Sequence, residues 1–151
     1  MTFKRIGVIH SPYTSAMGAP RQGRLAPETA STIVVDDAYA PGLKDIETFS
    51  HVIVIYAFDR SQGWSATVRT PWEEQLHGVF AVRSPRRPNP IGVTVVKLVK
   101  REGARLHVEG LDAFDGTPLL DLKPYIPRFD CVEDADGGWF QRATNAERDQ
   151  G

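Results

Sequence analysis

The chain is punctuated too often to carry long helices or parallel crossovers. Eleven prolines and thirteen glycines divide its 151 residues into short runs. Between them lie apolar segments rich in Val and Ile, the residue types that fit a pleated surface. Lys4 to His10, Ser31 to Asp36, His51 to Phe58, Gly78 to Arg83, Ile91 to Lys100, Arg105 to Gly110 and Leu119 to Lys123 each read as a strand. The run HVIVIYAF, His51 to Phe58, is almost continuously β-branched or aromatic and reads as buried on both faces. Arg101-Glu-Gly-Ala104 is a hairpin signal, and Asp115-Gly-Thr-Pro118 has the chemistry of a turn. Most gaps cannot hold the dozen or more residues that a parallel crossover needs. The pattern predicts an all-β fold, a single mainly antiparallel β-barrel whose closure removes its edges. One or two short helices accompany it. The first covers about two turns through Leu43, Ile46 and Phe49, and the second lies near Asn145 to Asp149. The barrel domain is expected over residues 1–130, followed by an acidic, Gly-rich tail over 131–151 that Trp139 and Phe140 are suited to dock.

Composition is that of a globular domain, with 41% hydrophobic and 25% charged residues. No stretch approaches the roughly 18 apolar residues of a membrane span. Lys4, Arg5 and His10 make the N-terminal segment too polar for a signal peptide. Cys131 is the only cysteine, so no intrachain disulfide forms, and a reducing, cytoplasmic setting is expected. The net charge of −1 does not favour nucleic-acid binding, which leans on phosphate neutralisation. Yet Arg83, Arg86, Arg87, Lys97, Lys100 and Arg101 lie in a stretch without an acid, while acids gather over Asp130 to Asp136. Charge alone leaves open whether this stretch is a basic patch or a solvated face.

Several chemistries are excluded by what is missing. No G-x-G-x-x-G opens a helix, so a Rossmann nucleotide site is not expected. Gly18 to Leu25 approaches a phosphate-binding loop but has Arg24 in place of Lys and Leu25 in place of Ser or Thr. The histidines at 10, 51, 77 and 107 lack metal-ligand spacing, and no metal is expected. Cys131, flanked by acids, lacks the electropositive setting of a reactive thiol.

The unusual segment is Arg83-Ser-Pro-Arg-Arg-Pro-Asn-Pro-Ile-Gly92. Its prolines fix φ and deny helix, so the loop is stiff and loses little entropy on binding. Arg83 and Arg86 are suited to grip a carboxylate or phosphate through bidentate forks. Asn89, between two prolines, offers a donor and an acceptor in a pre-set position. The alternative is a rigid connector with its arginines in water. Gly18-Ala-Pro-Arg-Gln-Gly23 has the same character. Trp64 and Trp72, in a further irregular stretch, suit base stacking or packing.

Together, HSPY, PRQG, FSHVIVIYAF, GVFAVRSPRRPNPIGV and FDGTPLLDLKPY, in this order over about residues 4 to 127, resemble the TsaA/TrmO family. The resemblance implies a β-barrel that binds S-adenosylmethionine (SAM) without a Rossmann sheet, at or near a homodimer interface. It implies a SAM-dependent methyltransferase acting on N6 of threonylcarbamoyladenosine at position 37 of tRNA, in the anticodon loop. Carried over by motif, the SAM contacts are Pro20, Arg21, Gln22, His51, Val52, Arg83, Val93, Asp115, Gly116, Thr117 and Pro118. Within that reading, Arg21 or Arg83 pairs with the SAM carboxylate. Asp115 or the turn's carbonyls receive its amino groups, and Val52 and Val93 flank its apolar parts. Asn89 or the Pro88 carbonyl orients the acceptor nitrogen, and Arg86 or Arg87 holds the threonyl carboxylate or a phosphate.

The sequence departs from the family where Phe58-Asp-Arg-Ser61 carries Asp59 in place of a frequent His. Longer members add a C-terminal domain, whereas this chain has about twenty residues of tail. Two alternatives are therefore retained: the same fold with another acceptor, and a barrel that binds SAM or RNA without catalysis.

Overall fold

The computed structural model describes residues 1–14 and 25–150, with side chains to residue 146. The described residues form two compact units, Met1–Ser61 with Asn89–Tyr125, and Gln62–Pro88 with Ile126–Gly151.

In the first unit, six strands of the described residues close into a barrel. They are β1 (Gly7–His10), β2 (Ala30–Val35), β3 (His51–Ala57), β6 (Ile91–Glu102), β7 (Arg105–Glu109) and β8 (Thr117–Pro124). Their order around the barrel is β1-β2-β7-β6-β3-β8, and every pairing is antiparallel. The expected antiparallel barrel is therefore what forms. Inward residues alternate along each strand, as a pleated strand lining a closed barrel requires. Ile9, Ile33, Val52, Val54, Val96 and Leu106 are among the fully buried side chains. β3 follows the same alternation. Val52, Val54 and Tyr56 are buried while His51, Ile53, Ile55 and Ala57 are half-buried, so the strand is not equally enclosed on both faces.

Two expected elements take other forms. The helix at Leu43 to Phe49 is a pair of 3-10 turns, Ala40–Leu43 and Ile46–Thr48. Asp45, at φ 72°, sits in the left-handed region between them and interrupts the helical ladder. The run Gly78 to Arg83 is not a strand. In the second unit only β5 (His77–Gly78) pairs, with β4 (Thr67–Val68), and Val79–Ala81 is a 3-10 turn. Only Val79 of that turn is buried, and Phe80 is exposed, so an alternating face never arises.

The second unit also holds α1 (Pro127–Asp130) and α2 (Gly138–Gln150). α2 extends well before Asn145, where the sequence pattern first suggests helix. Its start is fixed by local acceptors: Asp136 Oδ1 accepts the Gly138 N–H at 2.7 Å, and Gln141 Oε1 accepts the Gly137 N–H at 2.9 Å. Such reciprocal bonds satisfy orphan amides at a helix start.

One close approach sets the barrel interior. Gly92 on β6 lies opposite Tyr56 on β3. A Cβ on Gly92 would fall 2.4 Å from the Tyr56 ring and 2.8 Å from Phe58. The two rings pack edge to face at 5.4 Å. Gly92→Ala is expected to lower the unfolding free energy by about 1–3 kcal/mol through overpacking, read as a shift in urea midpoint at unchanged slope.

Candidate functional site

The antiparallel pairings decide which motif residues can meet. The end of β3 meets the start of β6, since Ala57 pairs with Ile91 and Ile55 with Val93. It also meets the start of β8, where Tyr56 pairs with Leu119. β1 joins this end through Ile9 and Thr117. Asn89, Val93 and the Asp115–Pro118 turn therefore lie at one end of the barrel. Val93 and the turn flank β3 on opposite sides, about 10 Å apart at two strand spacings.

The Asp115-Gly116 turn is held by the HSPY segment. Gly116 has φ 82°, which only glycine adopts freely, and its N–H donates to the Ile9 carbonyl at 2.8 Å. The Asp115 N–H donates to the Tyr13 carbonyl at 2.7 Å. The Asp115 carboxylate accepts from the Ser11 N–H at 3.1 Å and lies 3.3 Å from His10 Nδ1. Ser11 Oγ donates to the Ala113 carbonyl at 2.7 Å, and Tyr13 Oη donates to Thr29 Oγ1 at 2.8 Å. Two motifs 100 residues apart thus form one latch. One oxygen of Asp115 is already engaged within it, which leaves the turn's remaining acceptors for a ligand.

Arg60 completes this end, and the sequence reading passed over it. Its Nη2 donates to the Asp115 carbonyl at 2.5 Å, and its guanidinium lies 5.8 Å from the centre of the Phe114 ring. Its nearest acid is the neighbouring Asp59, at 4.0 Å. The signal for Arg60 was its place three residues beyond the central strand, but no spacing in the chain connects it with Asp115.

Beneath the turn lies a polar node. Tyr56 Oη donates to Asp112 Oδ1 at 2.8 Å, and Thr94 Oγ1 donates to the same oxygen at 2.5 Å. Tyr56 and Thr94 are buried. Burial, reinforced by the Asp112 charge, pushes the Tyr56 phenol well above its ordinary range.

His51 and Val52 do not join this end. They begin β3, and Val52 pairs with Val96 and Pro124. The length of β3 separates them from the turn by roughly 20 Å. Val52 is fully buried among core residues, and His51 Nδ1 is bonded to Ser50 Oγ at 2.7 Å. A barrel strand carries its two ends to opposite mouths, so within one copy of the chain these two residues do not meet the turn. Pro20, Arg21 and Gln22 lie outside the described residues.

In the second unit, the arginine loop is folded by its own hydrogen bonds. Arg87 Nη1 donates to the Val82 carbonyl at 2.8 Å, and the Arg87 N–H donates to the Pro85 carbonyl at 3.1 Å. The Arg86 N–H donates to Ser84 Oγ at 3.3 Å. Arg87 is thereby a structural cation, while Arg83 and Arg86 are exposed. Two surface cavities of about 430 and 400 Å³ lie on the barrel, the first adjoining the latch through His10 and Ser11. The first is lined by His10, Thr32 and His107 among others, the second by Tyr39, Leu43 and Leu122 among others, and neither is lined by a carried-over residue.

Residues 8–131 match the tRNA-methyltransferase O N-terminal domain. The chain belongs to this family. It is 45% identical over 137 residues to an S-adenosyl-L-methionine-binding protein of Archaeoglobus fulgidus, covering 91% of this chain and 98% of that one. It is 37% identical over 155 residues to the tRNA (adenine(37)-N6)-methyltransferase of Escherichia coli K12, covering 96% of this chain and 66% of the relative. The crystal structure of TrmO from Pseudomonas aeruginosa superposes with a TM-score of 0.76 at 35% identity, over 92% of this chain and 62% of that one. The chain thus spans about two thirds or less of the length of these two longer relatives.

The donor set at the barrel end fits SAM. Val93, 49% exposed, and Ile91, 39% exposed, present apolar surface on the outer face of β6. The turn adds a carboxylate and backbone carbonyls for amino groups.

The Tyr56 phenol favours its protonated form in the fold, so its contribution is complete below about pH 10, the unfolded phenol's range. It is lost as pH rises above that, because the unfolded chain releases its proton first. Urea unfolding at about pH 9 and about pH 11 should show a larger stability loss for the native protein than for Tyr56→Phe. Equal losses in the two proteins would contradict the assignment.

Proposed function

We propose that this protein transfers the methyl group of SAM to N6 of threonylcarbamoyladenosine at position 37 of tRNA. The observation that carries the reading is the extent of the tRNA-methyltransferase O domain match, residues 8–131, which spans every residue proposed to act. The E. coli relative, named for adenine(37)-N6 methylation, supports the acceptor, and the A. fulgidus relative, named for SAM binding, supports the cofactor. A homodimer and a cytoplasmic setting belong to the same reading.

SAM supplies a methyl group on a positively charged sulfur, and the leaving thioether is neutral. The chain's residues need not protonate a leaving group; the one proton to move is that of N6, which passes to solvent as the N–CH3 bond forms, and most of the acceleration comes from positioning and exclusion of water. Arg83 binds the cofactor's carboxylate, the Asp115–Pro118 turn accepts from its amino groups, and Val93 covers its apolar part. Pro20, Arg21 and Gln22 complete the cofactor set. Asn89, or the Pro88 carbonyl, accepts the N–H of the acceptor and turns its nitrogen lone pair toward the methyl carbon. Arg86 or Arg87 holds the threonyl carboxylate or a flanking phosphate, and Arg87 also bonds within its own loop through Nη1. Position 37 lies in a single-stranded loop, so no duplex has to open.

The deciding experiment incubates the protein with SAM and tRNA, with and without the threonylcarbamoyl group, and weighs the digested nucleosides. A methyl gain confined to the modified adenosine is expected. SAM binding with no gain on any tRNA nucleoside would overturn the acceptor. Arg86→Ala should raise KM for tRNA about tenfold or more at little cost in SAM affinity, as loss of a charge-assisted bond to substrate predicts.

A further inference from the structure

The arginine loop has a brace that lies outside the matched domain. α2 begins at Gly138, beyond residue 131 where the family match ends. Its first turn carries Trp139 and Phe140, and both meet the segment that leads into the loop. The Trp139 indole stacks on the His77 imidazole at 3.9 Å with an interplanar angle of 14°. Phe140 meets Trp72 edge to face at 5.1 Å. Glu73 is bonded to His77 Nε2, which fixes the imidazole against the indole. The decisive contact is polar. Trp139 Nε1–H donates to the Ala81 carbonyl at 2.8 Å.

Ala81 ends the 3-10 turn Val79–Ala81, two residues before Arg83. The next carbonyl, that of Val82, accepts from Arg87 Nη1 at 2.8 Å. Successive carbonyls at the end of this turn are therefore tied in two directions, to α2 by Trp139 and to the loop's far side by Arg87. Arg83 follows directly. A long, rotamer-rich side chain grips a ligand well only if its backbone is already placed. The indole N–H of half-buried Trp139 finds its acceptor in a backbone carbonyl whose position matters for the loop.

We propose that Trp139 is a positioning residue for Arg83: its indole N–H fixes the Ala81 carbonyl and so sets the arginine loop in its cofactor-binding geometry. The proposal rests on the reading of Arg83 as a SAM contact.

The test is a double-mutant cycle in the full chain, with SAM affinity measured by calorimetry for the native protein, Trp139→Phe, Arg83→Ala and the double variant. Trp139→Phe keeps an aromatic ring for His77 while removing the N–H together with the smaller ring of the indole. It should weaken SAM binding roughly three- to tenfold, the size of one neutral hydrogen bond. The double variant should bind no more weakly than Arg83→Ala alone, because the two residues act through one contact. Native affinity in Trp139→Phe, or losses that multiply in the double variant, would overturn the proposal. Unchanged affinity in Arg83→Ala would instead overturn the cofactor reading of Arg83. The brace would then be judged by amide exchange over residues 79–83, where faster exchange in Trp139→Phe supports it and unchanged exchange overturns it.

Discussion

The Asp112 carboxylate is the interaction on which the site end of the barrel depends. One of its oxygens accepts from Tyr56 on β3 and from Thr94 on β6. Asp112 itself lies on the connection from β7 to β8, which runs on into the Asp115–Pro118 turn. One group therefore ties two neighbouring strands to the loop that carries the turn. In a low-dielectric interior such bonds are strong when satisfied, and a partner left alone is costly. This couples the turn's position to the packing of the whole barrel end. The same constraint explains Gly92. The Tyr56 ring is pinned by its hydroxyl, so the residue opposite it must leave the space empty.

The turn is fastened from above as well as from below. His10, Ser11 and Tyr13 bond to it from the end of β1, and Arg60 caps the Asp115 carbonyl from the end of β3. Much of the hydrogen-bonding capacity of the motif is spent on holding its own shape. A turn built this way is pre-organised, so little ordering would be needed on binding a ligand. The arginine loop follows the same rule in its own unit, with Arg87 used internally and Arg83 and Arg86 exposed.

How much of this was legible in the chain differs by element. The strands β3, β6, β7 and β8 were readable because Val and Ile runs bounded by turn chemistry have few other solutions. The stretch at 78–83 looked equally apolar yet turns at Val79–Ala81, since its neighbours offer it no sheet to join. The motif segments were recognisable one by one, but not which barrel mouth each faces. A seven-residue strand carries its two ends to opposite mouths of a barrel, so His51 and Val52 stand away from the Asp115 turn although they belong to a motif of their own. Arg60 was missed for the opposite reason, because its partner is 55 positions away.

The sequence by itself determined the class of fold and the family: short β-branched runs separated by prolines and glycines force antiparallel strands, and a barrel leaves no edge. It also determined that the segment from Arg83 to Gly92 would be a stiff, polar loop, because proline acts locally on φ. Tertiary structure decided which residues work together. Strand register put Asn89, Val93 and the Asp115 turn at one mouth and His51 at the other. A long-range hydrogen bond set Trp139 against the Ala81 carbonyl. Register and long-range pairing arise from closure of the chain on itself, and no local preference encodes them.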